Sequence, residues 1–159
     1  MELRGIAGVI APNDIKPGLF YLRPDNDGGT WLCLRLGCGD HLRERRVWEV
    51  VFDRPDRYGI FFSEPEDIEP VIALPPVCIR VDRASFAGSQ FTTSFRPPLI
   101  AVVGKEVFVK ATGSRDGSLT FNLGSGMIVS SPAAWVAFSR WSLVIDDGDN
   151  EVTLCSYGK

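Results

Sequence analysis

Apolar and polar positions alternate in short runs along this chain, and no stretch sustains a 3.6-residue period. Residues 30–36 put Leu32, Leu34 and Leu36 on one face of an extended segment. Residues 19–23 form a second β-prone run, joined to the first by the turn cluster Pro24-Asp25-Asn26-Asp27-Gly28-Gly29. Together they predict a β-hairpin. Residues 106–110 and 118–123 repeat the arrangement around Gly113-Ser114-Arg115-Asp116-Gly117, with Leu119, Phe121 and Leu123 inward. Asp-Gly supplies the positive φ that a tight hairpin turn needs.

The same alternation predicts strands over residues 48–52, 60–63, 77–82, 90–95, 99–103, 141–145 and 152–157. In the third of these, Val77, Ile79 and Val81 alternate with Cys78, Arg80 and Asp82, as expected of a strand with one wet face. Pro75-Pro76 and Pro97-Pro98 mark breaks, because proline cannot donate to a central ladder. Helix signals are few. Ser131 before Pro132 resembles a cap followed by a first-turn proline and predicts a short helix over residues 132–139. Asp40 caps a further predicted turn over residues 42–46, and Ser63-Glu64-Pro65-Glu66 leaves room for one turn before Pro70. The expected fold class is mainly β.

Self-comparison adds an internal repeat. Residues 20–39 lie over 107–126 at a shift of 87, ending Leu36-Gly37-Cys38-Gly39 and Leu123-Gly124-Ser125-Gly126. At a shift of 93, residues 48–63 lie over 141–156, and Trp48 meets Trp141. Each unit then reads strand, strand, short helix, strand, strand. Units of this size bury too little surface alone. Two pseudo-repeated units are therefore expected to share a core as a tandem barrel or sandwich. The corresponding division is 1–72, a connection over 73–98, and 99–159, or one compact domain.

Composition narrows the function classes. With 159 residues, 45% hydrophobic and 23% charged, the chain is globular in type and large enough for a core without disulfides. The net charge of −3 argues against a protein built mainly to neutralise nucleic-acid phosphates. No apolar run reaches a membrane-span length, and residues 1–11 lack the leader of an exported chain. Cys33, Cys78 and Cys155 fall on predicted strands, where reduced cysteine acts as a small buried hydrophobe. The expectation is a reduced, cytoplasmic protein.

Candidate chemistry is sparse. Cys38, Asp40 and His41 cluster after a strand, but no second ligand pair with zinc-site spacing accompanies them. A Cys38–His41 nucleophilic pair is the enzyme alternative, against the plainer reading of a solvated loop. Leu-Gly-x-Gly occurs twice without the strand-to-helix context of a phosphate loop, so bulge or turn glycines explain it. Asp146-Asp147-Gly148-Asp149-Asn150-Glu151 lacks EF-hand spacing and reads as a polar turn. Glu64, Glu66, Asp67 and Glu69 read as a solvated acidic connection.

Arg43, Arg45 and Arg46, followed by Trp48 and accompanied by Phe61, Phe62, Phe86, Phe91 and Phe95, carry the single-stranded nucleic-acid alternative. Trp31, Trp48, Trp135 and Trp141 suit either stacking on a ligand or anchoring a core. Candidate ligand-binding residues are thus Trp48, Trp141, Arg43, Arg45 and Arg46, with no catalytic residue, metal ligand or cofactor assigned. The reading that follows is a non-enzymatic β-rich module that binds a partner protein or a small ligand. Self-association through β edges belongs to the same expectation.

Overall fold

A computed structural model describes residues 7–11, 14–24, 28–37, 48–52, 61–63, 70–90, 99–112, 118–130, 132, 135–146 and 150–158. Among them the chain is built of strands, with 3-10 geometry at Asp14 and a 3-10 turn at Arg83–Ser85. The strands are β1 (Gly8–Ile10), β2 (Phe20–Pro24), β3 (Thr30–Leu36), β4 (Trp48–Val51), β5 (Phe61–Ser63), β6 (Val71–Ala73), β7 (Val77–Val81) and β8 (Phe86–Gln90). They continue with β9 (Ile100–Val103), β10 (Glu106–Thr112), β11 (Ser118–Asn122), β12 (Ile128–Val129), β13 (Trp135–Phe138), β14 (Trp141–Asp146) and β15 (Glu151–Tyr157).

Twelve strands form one open sheet along the order β1-β6-β2-β3-β4-β5-β10-β9-β13-β8, with β11 beside β10 and β12 beside β11. A smaller sheet has the order β15-β14-β7. Among the described residues neither closes into a barrel. The two parts of the large sheet meet through one parallel pair, Thr112 with Phe61, and a parallel bridge between Gly37 and Met127.

Both expected hairpins are present. Phe20 faces Leu34 in the first, Phe108 faces Asn122 in the second, and each has five residues between its last paired positions. These registers are related by a step of 88 (Phe20 to Phe108, Leu34 to Asn122), one residue beyond the shift of 87 read from the sequence. One residue matters in a strand, because it exchanges the faces. Further along, Glu49 faces Ser63 and Ser142 faces Ser156, a step of 93. The assemblies around the hairpins differ, however. β3 pairs onward with β4, whereas β11 pairs with β12, and β14 belongs to the other sheet.

The expected helix over 132–139 is instead strand β13. Trp135 and Ala137 turn into a cluster with Ala101 and Phe108, while Phe138 packs against the main core from the opposite face. As a strand, β13 ladders with β8 on one side and β9 on the other, pairing backbone groups of those two strands that a helix there would leave unmatched. The turns expected near 42–46 and 64–69 lie outside the described residues.

One main core joins the two halves of the chain. Phe20, Leu34, Val50 and Phe52 pack with Ile100, Val109, Phe121, Trp141 and Leu143. Phe52 is the hinge of this packing, with ring centroids 5.7 Å from Phe20 and 6.4 Å from Phe121. Val77, Ile79 and Val81 lay the inner face of β7 onto the same core, as their alternation predicts. No helix among the described residues is long and apolar enough to cross a membrane.

Candidate functional site

Several residues singled out from the sequence fall outside the described part: Arg43, Arg45 and Arg46, Cys38, Asp40 and His41, and the acidic stretch 64–69. Trp48 is placed by its backbone, opposite Leu36 in the β3–β4 ladder. Trp141 is 2% exposed, and its indole stacks on Tyr157 with centroids 4.5 Å apart. Tyr157 in turn donates its hydroxyl to the carbonyl oxygen of Phe52. The Trp141 ring therefore serves as a core anchor rather than an open stacking surface. Cys33, Cys78 and Cys155 are free thiols, but only Cys33 is buried; Cys78 is exposed on β7, contrary to the buried role expected of it.

The most concentrated polar chemistry among the described residues lies on the reverse face of β2, β3 and β4. Period-two geometry places Tyr21 and Arg23 of β2, Trp31, Cys33 and Arg35 of β3, and Glu49 of β4 on that face. Glu49 is fully buried. The Tyr21 hydroxyl donates to its Oε2 at 2.7 Å, and Arg23 Nη2 donates to its Oε1 at 2.6 Å. The Arg23 guanidinium also lies 4.4 Å from the centre of the Trp31 ring. Burial, reinforced by the Glu49 charge, raises the Tyr21 and Cys33 pKa values far above their ordinary levels.

This geometry keeps the phenol and thiol protonated, and both carboxylate oxygens are occupied by donors. It pins three strands in register. Sequence reading missed the cluster because alternation alone places Glu49 no differently from any strand residue. The available signal was the pairing of Glu49 opposite Arg35, which requires the β3–β4 register to be known.

The two Leu-Gly-x-Gly segments meet. Gly37 donates its amide to the Gly126 carbonyl at 2.9 Å, and Ile128 donates to the Gly37 carbonyl at 3.0 Å. Gly126 has φ +69°, and a Cβ there would stand 2.3 Å from Gly18 N and 2.4 Å from Arg35 O. Glycine is needed for backbone against backbone, and the junction is packed rather than hollow. Among the described residues no three His, Cys, Asp or Glu side chains are grouped to hold a metal ion.

The small sheet offers a different feature, an open backbone edge. β14 pairs with β15 on one side and β7 on the other, and β7 has no second neighbour among the described strands. Its five residues pair regularly with β14, from Val81 opposite Trp141 to Val77 opposite Ile145. By contrast, the ladders holding edge strands β8 and β15 each contain a register shift. Such bulges twist an edge away from pairing.

Arg80 is the charged side chain within β7, and its Nη2 reaches back across β14 to Glu151 at 2.5 Å. Register places Val144 between the two ends of that bridge, and Val144 is 3% exposed. The charge is thus drawn over the sheet. The end of β7 is fixed by Asp82, which accepts from Ala84 N at 2.8 Å and pairs with Arg140 at 3.0 Å. No family model, curated protein or solved structure matches the chain.

Proposed function

We propose that the chain is a non-enzymatic β-rich binding module that recognises a partner protein by taking an extended segment onto β7. The observation carrying this reading is that edge: regular, unbulged, rich in β-branched residues, and with its charge tied to Glu151. Strand addition draws its affinity from backbone hydrogen bonds and its selectivity from alternate side chains. An unguarded edge supplies the first, and the Val77-Ile79-Val81 face supplies an apolar row for the second. The packed glycine junction and the occupied Glu49 carboxylate favour surface recognition over chemistry in a cleft. In this reading the two pseudo-repeated hairpin units are the scaffold, and the free thiols suit a reducing, cytoplasmic setting.

The test uses a synthetic peptide with the sequence of β14, Trp-Ser-Leu-Val-Ile-Asp, which is the natural neighbour of β7. Added to the full chain, it should slow hydrogen exchange at the β7 amides and shift their resonances. Binding that leaves residues 77–81 unperturbed, or a monomeric chain that binds no peptide at millimolar concentration, would refute the reading.

A further inference from the structure

We infer that a second copy of this chain occupies the free edge of β7, pairing antiparallel about a twofold axis at Ile79. This rests on the strand-addition reading and names the partner. Pairing about Ile79 sets Ile79 opposite itself, Val77 opposite Val81, and Cys78 opposite Arg80 of the other copy, by the arithmetic of an antiparallel register. Every inward pair is then β-branched against β-branched, the kind of cross-strand contact that stabilises a ladder. The inward face stays inward, because Val77, Ile79 and Val81 already pack on the main core of their own copy.

The charges agree with the same axis. Arg80 would face a neutral Cys78 rather than another arginine, and Glu151 of its own copy already neutralises it. Moving the register by one residue either way would bring Arg80 opposite Ile79 or Val77, setting an outward charge against an inward apolar side chain. The interface is isologous and closes after two copies, so it ends at a dimer with the strand order β15-β14-β7-β7-β14-β15. Of the other edge strands, β8 and β15 lie in bulged ladders, and β1 and β12 offer only three and two residues for continued growth.

The experiment measures sedimentation of the full chain from micromolar to hundreds of micromolar, with Cys78→Lys, Cys78→Glu and Cys78→Ser alongside. Cys78 is exposed, so all three variants should keep the parent's near-ultraviolet spectrum. The parent and Cys78→Ser should dimerise alike. Cys78→Lys places a lysine opposite Arg80 at two symmetric positions and should weaken the dimer about tenfold. Cys78→Glu should match or tighten the parent. A dimer to which the lysine and glutamate variants respond equally would overturn the pairing about Ile79. A chain that stays monomeric, yet binds the β14 peptide with protection of β7, would overturn self-pairing while leaving the strand-addition reading intact. Absence of self-association, peptide binding and β7 protection together would overturn both.

Discussion

Glu49→Ala should destabilise the molecule by about 3–5 kcal/mol, measured by urea unfolding, because it strands Arg23 and Tyr21 without their shared acceptor. Tyr21→Phe should cost about 1–3 kcal/mol by the same measurement, since Glu49 would keep Arg23 but lose one donor. Tyr21 and Cys33 also set a direction for pH dependence. Both have pKa values raised on folding, first by burial and then by Glu49. The stability they contribute is therefore complete below the unfolded values, about 8.5 for a thiol and about 10 for a phenol, and is lost as pH rises above them. Urea midpoints should fall between about pH 7 and about pH 10, and fall less in Cys33→Ala. An equal fall in parent and variant would show that Cys33 has no part in it. At the glycine junction, Gly126→Ala should be among the costliest methyl additions, because its Cβ meets the backbone at Gly18 and Arg35. Thermal unfolding would register that loss.

Among the elements, the hairpins β2–β3 and β10–β11 were legible because turn residues and period-two alternation point the same way. The wet and dry faces of β7 were legible for the same reason. β13 was not. Ser131-Pro132 mimics a helix start, and Trp-Val-Ala-Phe is apolar throughout, so its two-residue period shows only in burial and not in the sequence. β1, β6 and β12 have three, three and two residues, too few for a period to declare itself. The candidate interaction edge was half legible. Its apolar row is plain in the sequence, but its freedom depends on β14 pairing across a long separation, which no local pattern specifies. The Glu49 cluster needed three strands placed in register, and so was hidden altogether.

For the whole molecule, the shared core means that damage on either side of the chain should be felt as one event. Phe52→Ala and Phe121→Ala should each cost about 3–5 kcal/mol and shift a single unfolding transition. Their double-mutant cycle should show coupling of about 0.5–1.5 kcal/mol, since the rings meet edge to face. Two separate transitions would instead divide the core. The small sheet also has a consequence in time. Among the described strands β7 finds its neighbour only in β14, so a growing polypeptide holds Val77, Ile79 and Val81 without that ladder until residues 141–146 have been synthesised. Distant pairing of this kind slows folding and prolongs exposure to aggregation. Newly made copies on one messenger should thus be most vulnerable to entanglement during that interval, and chaperone capture should decline once the β14 segment clears the ribosome.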